Sequence, residues 1–235
     1  MLKATKNKLK PLFDAVEDIT PEAAFSYKDG KFVFEELSTD QVIQLTAKVK
    51  PDYFADYDMT EPSGLLNIDA LTSKLRRFRK NEQIQLLFND GEVVVKSDRK
   101  SFTTRMIDEP HGGQPELRGF NWKHQLELPV ENLREAAKDA KTVTKHFYFK
   151  DDHGLIATTE SSTGNSYTYK LDEQNMDGLS VGVQTEFIED ITSTAGDFVD
   201  DVVAMFNNNT PVCIIASTDN VTLRWIIAPM VEGDE

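Results

Sequence analysis

The sequence has one cysteine, Cys213, so no disulfide can form within the chain and a reducing intracellular compartment is expected. Cys213 falls in the apolar run 212–216 and reads as a small buried residue. No stretch approaches the ~18 consecutive apolar residues that a membrane-spanning helix needs. The basic start MLKATKNKLKPLF lacks an apolar core and a cleavage site, so no secretory signal is expected. GxGxxG, P-loop, GxSxG and HExxH motifs are all missing. The histidines His111, His124, His146 and His153 have no metal-ligand spacing, and a second cysteine is lacking. Asp151-Asp152-His153 runs into Gly154 and reads as a solvated hairpin tip. Asp56 and Asp58 flank Tyr57 on an expected exposed edge, and are the one carboxylate pair a magnesium-dependent nuclease would use. With no set of residues for catalysis, the expectation is a protein that is not an enzyme, with no metal and no cofactor.

Positive charge is also scarce, and where it is scarce matters. The chain carries 26 Lys and Arg against 40 Asp and Glu, a formal charge of −14. Such a surface stays soluble and repels nucleic acid by default. Between Leu171 and Leu223 there is no Lys or Arg but ten acidic residues. The first ten residues instead hold Lys3, Lys6, Lys8 and Lys10 with no acid. Most concentrated is Asp69–Lys80, DALTSKLRRFRK, with Lys74, Arg76, Arg77, Arg79 and Lys80. Leu71, Leu75 and Phe78 at i, i+4 and i+7 predict a helix over 69–80 with one buried stripe. Asn67 or Asp69 can cap its start, and the cations suit its C-terminal end.

That stretch is one of four similar arrangements. A helix is expected over 6–18, with Leu9, Leu12, Phe13 and Val16 on one side, and Pro11 is tolerable there only in the first turn. Two alternating strands, AFSY and KFVFEE, follow around Asp29-Gly30, a strong hairpin signal. The helix over 69–80 leads likewise into QIQLLF and EVVVK around Asp90-Gly91. A third helix is expected over 129–142, with Val130, Leu133 and Ala137 inward and Arg134, Lys138 and Lys141 together on another face. Its hairpin, HFYF and LIATT, turns near Gly154. The fourth, over 185–195, presents Phe187, Ile188 and Ile191 and precedes VVAMF and PVCIIA around Asn207–Asn209. The turn glycines Gly30, Gly91 and Gly154 lie 61 and 63 residues apart. Such spacing points to a repeated unit. The stretch 108–121, with two prolines and three glycines, reads as an exposed linker between similar halves. Each half is expected to be α+β, with antiparallel strands whose alternate apolar residues are covered on one side by two helices.

Four helix–hairpin units, a central linker and basic helices in an acidic chain resemble the sliding-clamp family, in its archaeal and eukaryotic proliferating cell nuclear antigen (PCNA) branch. The pieces that carry the resemblance are spread along the chain. Trp225-Ile226-Ile227-Ala228-Pro229-Met230-Val231-Glu232 is similar to the family's C-terminal segment, and Gln114-Pro115-Glu116-Leu117 to its interdomain connector. Residues 67–81 resemble its second inner helix, and Leu37-Ser38-Thr39-Asp40-Gln41-Val42 the loop after its first hairpin.

The resemblance implies a DNA clamp of two similar domains, sheets outside and two helices inside each. It divides the chain into 1–109, a connector 110–121 and 122–235. It also implies a homotrimeric ring, a processivity factor threaded by double-stranded DNA without sequence preference. The cations expected to face the DNA are Lys10, Lys74, Arg76, Arg77, Arg79, Lys80, Arg134, Lys138 and Lys141. The fourth helix departs from this pattern, since Glu186, Glu189 and Asp190 leave it without a cation. Ring closure would use edge strands 100–107, with Phe102 and Met106, and 165–171, with Tyr167 and Tyr169. Leu37, Val42, Leu117, Pro211, Ile226, Ala228 and Pro229 match a pocket for short partner peptides of DNA polymerase, clamp loader and other replication proteins. The protein would work inside the cell, at the nucleoid of a prokaryote or in the nucleus of a eukaryote. Two alternatives fit the same residues: a clamp-like subunit of a heteromeric ring, and an acidic DNA mimic or protein-interaction module.

Overall fold

A computed structural model describes residues 1–58, 63–89, 91–107 and 119–230. The chain repeats one motif four times: a strand, a helix, then three more strands. The first copy is β1 (Leu2–Thr5), α1 (Lys6–Glu17), β2 (Glu22–Lys28), β3 (Lys31–Leu37) and β4 (Ile43–Val49), followed by a short β5 (Asp56–Tyr57). The second is β6 (Gly64–Asn67), α2 (Ile68–Leu75), β7 (Gln83–Asn89), β8 (Glu92–Lys96) and β9 (Ser101–Ile107). The third is β10 (His124–Pro129), α3 (Val130–Ala140), β11 (His146–Asp151), β12 (Leu155–Glu160) and β13 (Ser166–Asp172). The fourth is β14 (Ser180–Gln184), α4 (Thr185–Ala195), β15 (Asp201–Phe206), β16 (Val212–Ser217) and β17 (Val221–Ile227). The four expected helices and their hairpins are all present, and most of the expected linker, 108–118, lies outside the described residues.

The chain forms two compact units: Met1–Glu116 with Ser217–Leu223, and Leu117–Ala216 with Arg224–Glu235. In the first unit the strands run β4-β3-β2-β6-β9-β8-β7-β1-β5. In the second, β13-β12-β11-β14 form one sheet, and β10 pairs β15, which pairs β16. All these pairings are antiparallel, as hairpin connections require. Within each unit the two helices lie against each other, and their apolar stripes are buried: Leu9, Leu12, Phe13 and Val16 with Leu71 and Leu75 in the first, Leu133 and Ala137 with Ile188 and Ile191 in the second.

Turn chemistry follows the residues. Asp29 and Gly30 both take positive φ, 52° and 73°, the pair that a two-residue primed hairpin turn demands. At Gly154 (φ 135°) a Cβ would come within 2.5 Å of the Asp172 carbonyl, so only glycine fits this corner.

Three features differ from expectation. Pro11 sits in the second turn of α1, not the first, so the helix forgoes an amide bond there and the Leu9, Leu12 and Phe13 stripe holds it together. The helix expected over 69–80 stops at Leu75. Beyond it Arg77 and Phe78 close tighter turns, their amides donating to the Lys74 and Leu75 carbonyls at 3.0 and 3.2 Å. Strand β3 is buried on both faces over Phe32–Glu36, not covered on one side only, and so contains two buried carboxylates, Glu35 and Glu36.

Candidate nucleic-acid interface

Whether a cation can meet a phosphate depends on what already holds it. In the first unit Asn67 caps α2 by accepting from the Ala70 amide at 2.7 Å. The helix ends where Lys74, Arg76, Arg77 and Lys80 would repel one another at three- and four-residue spacing. Two ammonium groups take over the carbonyls beyond it. Lys6 Nζ donates to the Arg76 and Phe78 carbonyls at 3.2 and 2.6 Å, and Lys100 Nζ to the Arg77 carbonyl at 2.6 Å. Phe78 stays buried nonetheless, edge-on to Phe102 with ring centres 5.6 Å apart. Lys8 is similarly engaged: Nζ donates to the Tyr53 carbonyl, and Tyr53 Oη donates back to the Lys8 carbonyl.

Of the nine cations expected to face DNA, four are in ion pairs. Lys10 pairs with Asp14, one turn along α1, and Arg76 with Glu17 at 3.0 Å. In the second unit Arg134 pairs with Glu131 at 2.9 Å, and Lys141 with Glu189 of α4. That bond and the Glu189 charge push the Lys141 ammonium above the usual lysine range. Arg134 is held twice, since Nη2 also donates to the Thr192 carbonyl of α4 at 2.8 Å. Lys74, Arg77, Arg79, Lys80 and Lys138 make no ion pair among the described residues, although Lys74 Nζ reaches the Ala70 carbonyl at 3.3 Å. The fourth helix is acidic as read. Desolvation and then the neighbouring Glu189 carboxylate push Asp190 up from the ordinary carboxylate range.

Sheet edges are the second feature. Strand β13 ends its sheet, with β12 on one side only. Its Tyr167 and Tyr169 hydroxyls donate to Asp139 and Glu135 of α3 at 3.4 and 3.2 Å. Desolvation and the nearby Asp139 carboxylate push Tyr167 up to about 12. Strand β9 pairs β8 along Ser101–Arg105, whereas β6 takes only Met106 and Ile107. Phe102 therefore lies where β9 is paired on one side only among the described residues, and Met106 lies where β6 takes the other side. Its backbone is opposite Leu66, and its Sδ would be 3.2 Å from a Cβ on Gly64.

The residues matched to a peptide pocket are spread over both units. In the first, Leu37 closes β3 and Val42 sits half-buried in a loop whose amide donates to Ser38 Oγ. In the second, Ile226 is buried, Ala228 and Pro229 are half-buried, and the Pro211 carbonyl accepts from Trp122 Nε1 at 2.7 Å. Leu117 lies outside the described residues. Pro229 lines an open pocket of about 360 Å³ with Tyr148, Gly182, Asn209 and Met230. Cys213 is buried, and burial pushes its thiol up. Among the described residues no His, Cys, Asp or Glu cluster has the makings of a metal site. No helix among them is long and apolar enough to cross a membrane. Sequence reasoning missed the parts played by Lys6, Lys100 and Thr192, because each acts through a backbone carbonyl remote in sequence.

Two units built from four strand–helix–three-strand motifs define the DNA-clamp fold. Solved structures bear this out: the PCNA of A. fulgidus, determined with the C-terminal region of FEN-1 bound, superposes with a TM-score of 0.89 at 15% identity over 99% of both chains. The PCNA of Thermococcus kodakaraensis gives 0.84 at 17%, over 97% of this chain and 99% of that one. No family model matches the chain. Among curated proteins, DNA polymerase sliding clamp 1 of Pyrobaculum aerophilum is 21% identical over 94% of both chains. DNA polymerase sliding clamp 2 of Sulfurisphaera tokodaii is 21% identical over 94% of this chain and 95% of its own length. Fold and chain-length similarity together give this protein the DNA-clamp fold and make it similar along nearly its whole length to archaeal DNA polymerase sliding clamps.

Proposed function

We propose that this chain acts as a DNA sliding clamp, a processivity factor whose three copies close into a ring around duplex DNA. The observation that carries the reading is the set of exposed or half-exposed cations, Lys74, Arg77, Lys80 and Lys138, that make no ion pair among the described residues in a chain of charge −14. A topological link needs no base contacts. It needs only a wall that meets phosphates loosely enough to slide, and an acidic exterior that discourages binding elsewhere. Lys10, Arg76, Arg134 and Lys141, already paired, contribute less to that wall.

The ring's role is to tether, not to catalyse. A relative's complex with the C-terminal region of FEN-1 supports the same kind of docking here. Short hydrophobic peptides from polymerase, clamp loader and nuclease would seat at Leu37, Val42, Leu117, Pro211, Ile226, Ala228 and Pro229. The setting is intracellular, where replicating DNA is found.

Sedimentation equilibrium tests the reading. The expected mass is three times the 26.6 kDa chain. A monomer at all protein and salt concentrations would remove the homotrimeric ring.

A further inference from the structure

In the second unit the strands run β10-β15-β16-β17, and their outward face is less polar than a solvated sheet face should be. Val202, Ala204 and Ile214 are buried, so by alternation Val203, Met205 and Ile215 turn outward, where all three are half-buried. Arg224 lies on the same side of β17 as Ile226, two residues on, and is half-buried too. Its guanidinium lies over the Trp122 ring, with Cζ 5.4 Å from the ring centre. Trp122 is fixed in turn, since Nε1 donates to the Pro211 carbonyl at 2.7 Å and its ring meets Phe120 at 5.6 Å. Among the described residues the one polar partner of Arg224 is the sulfur of buried Cys213, a weak acceptor. Arg224 Nε is buried without a hydrogen-bond partner, and Arg224 makes no ion pair among the described residues. Glu127 stands beyond Val203 on β10, three strands from β17, about 14 Å at ~4.8 Å per strand. Lys123, the other cation close in sequence to Trp122, is already paired with Asp177 at 3.6 Å. With no Lys or Arg between Leu171 and Leu223, Arg224 is an unneutralised guanidinium on an aromatic support in an acidic part of the chain.

We propose that Arg224, supported on Trp122, binds a carboxylate of the docked partner peptide, so that this chain selects peptides with Asp or Glu close to their hydrophobic plug. This rests on the peptide-docking reading above and names a specificity residue for it. The planar guanidinium takes a carboxylate through two parallel hydrogen bonds, and stacking on an indole fixes its plane before the ligand arrives. The unmade bond at Nε is a donor that such an acceptor would satisfy. Charge complementarity makes the occupant an acid. A surface carrying 40 Asp and Glu against 26 Lys and Arg repels a peptide carboxylate at most positions and attracts it here. Reach agrees with this. Arg224 and Ile226 are about 7 Å apart along β17, so an extended peptide with its plug at Ile226 brings a residue about two positions away to the guanidinium. Val203, Met205 and Ile215 continue the outward face beside Arg224 and offer apolar contact to the residues between.

The test scans charge along the ligand. The probe is a fluorescein-labelled synthetic peptide of the C-terminal region of FEN-1, the segment bound to a relative's clamp. Glu, and in a matched set Gln, is placed in turn at each of the four positions on either side of the hydrophobic plug, and binding is read by anisotropy. At one or two positions the Glu peptide should bind the unmutated protein about five- to tenfold more tightly than its Gln twin. Arg224→Gln should abolish that advantage while leaving affinity for the Gln peptides unchanged, and Arg224→Lys should restore only part of it. Circular dichroism melts show whether each variant is folded, and the comparison on the unmutated protein needs no variant at all. Equal binding of Glu and Gln peptides at every position overturns the role of Arg224 and leaves peptide docking standing. So does an Arg224→Gln variant that weakens both sets alike, the mark of a merely structural side chain. A variant that loses duplex DNA but no peptide assigns the guanidinium to phosphate instead and overturns the proposal. Failure of every peptide to bind the unmutated protein removes the docking reading itself.

Discussion

Arg134 and Gly196 form a pair whose meaning lies in one distance. Gly196 has ordinary right-handed helical geometry (φ −63°), so its backbone does not call for glycine. A Cβ there would fall 2.3 Å from Arg134 Nη2, the nitrogen that donates to the Thr192 carbonyl. Gly196→Ala should therefore swing the flexible guanidinium away from α4 and cost about 1 kcal/mol, the Thr192 hydrogen bond, read as a slightly lower melting temperature. In an Arg134→Ala background the same change should cost little, because the clash is gone. Glu36 offers a second residue-scale test. It is buried in β3, accepts from the Ala24 amide at 2.5 Å, and burial raises its pKa from the ordinary 4.5 to about 7. A carboxyl raised on folding stabilises while protonated and loses that contribution as pH climbs through its folded value. Wild-type stability should thus fall by roughly 2–3 kcal/mol between about pH 4.5 and 8 from this group. Glu36→Gln should flatten that slope in denaturant melts across the range, and an unchanged slope would contradict the assignment. The sequence could nominate cations and acids, but which of them are engaged depends on carbonyls such as Thr192 O, which no pattern of letters reveals.

At the scale of elements, Pro11 is the informative exception. It lies in the second turn of α1, where it withholds an amide that the helix would otherwise use. Pro11→Ala is expected to raise stability by about 1–3 kcal/mol, seen as a higher melting temperature with unchanged oligomeric mass. No change would mean that the Asn7 carbonyl is satisfied elsewhere. The four helices and their hairpins were legible because period-3.6 stripes alternate with period-2 strands around Asp-Gly and Asn-rich turns. The early end of α2 was not, although Leu71, Leu75 and Phe78 are all buried as their spacing predicts. Lys6 and Lys100 supply the carbonyl partners of the turn beyond Leu75, and only tertiary structure brings them there. The double burial of β3 was hidden for a similar reason, since a strand covered on both faces can still carry Glu35 and Glu36 when Lys28 and the Ala24 amide meet them.

For the whole molecule, charge is the organising quantity. A chain of −14 in which Lys74, Arg77, Lys80 and Lys138 make no ion pair among the described residues should bind duplex DNA weakly and lose it quickly as salt rises. Replacing Lys74, Arg77 and Lys138 by alanine should lower the slope of log affinity against log salt by up to about 2–3, measured by fluorescence anisotropy, without changing the mass of the assembly. An unaltered slope would place the phosphate contacts elsewhere. Composition showed the scarcity of cations and the repeat showed their helices. Closure into a ring is proposed through resemblance alone, because edge pairing between copies would leave no mark in one chain. The most direct test of encirclement is topological. Protein assembled on closed circular DNA should stay with it through gel filtration in salt that abolishes phosphate contacts, and should be released when a single cut linearises the circle. Release from intact circles, or retention on linear DNA in the same salt, would contradict a clamp held by its own closure.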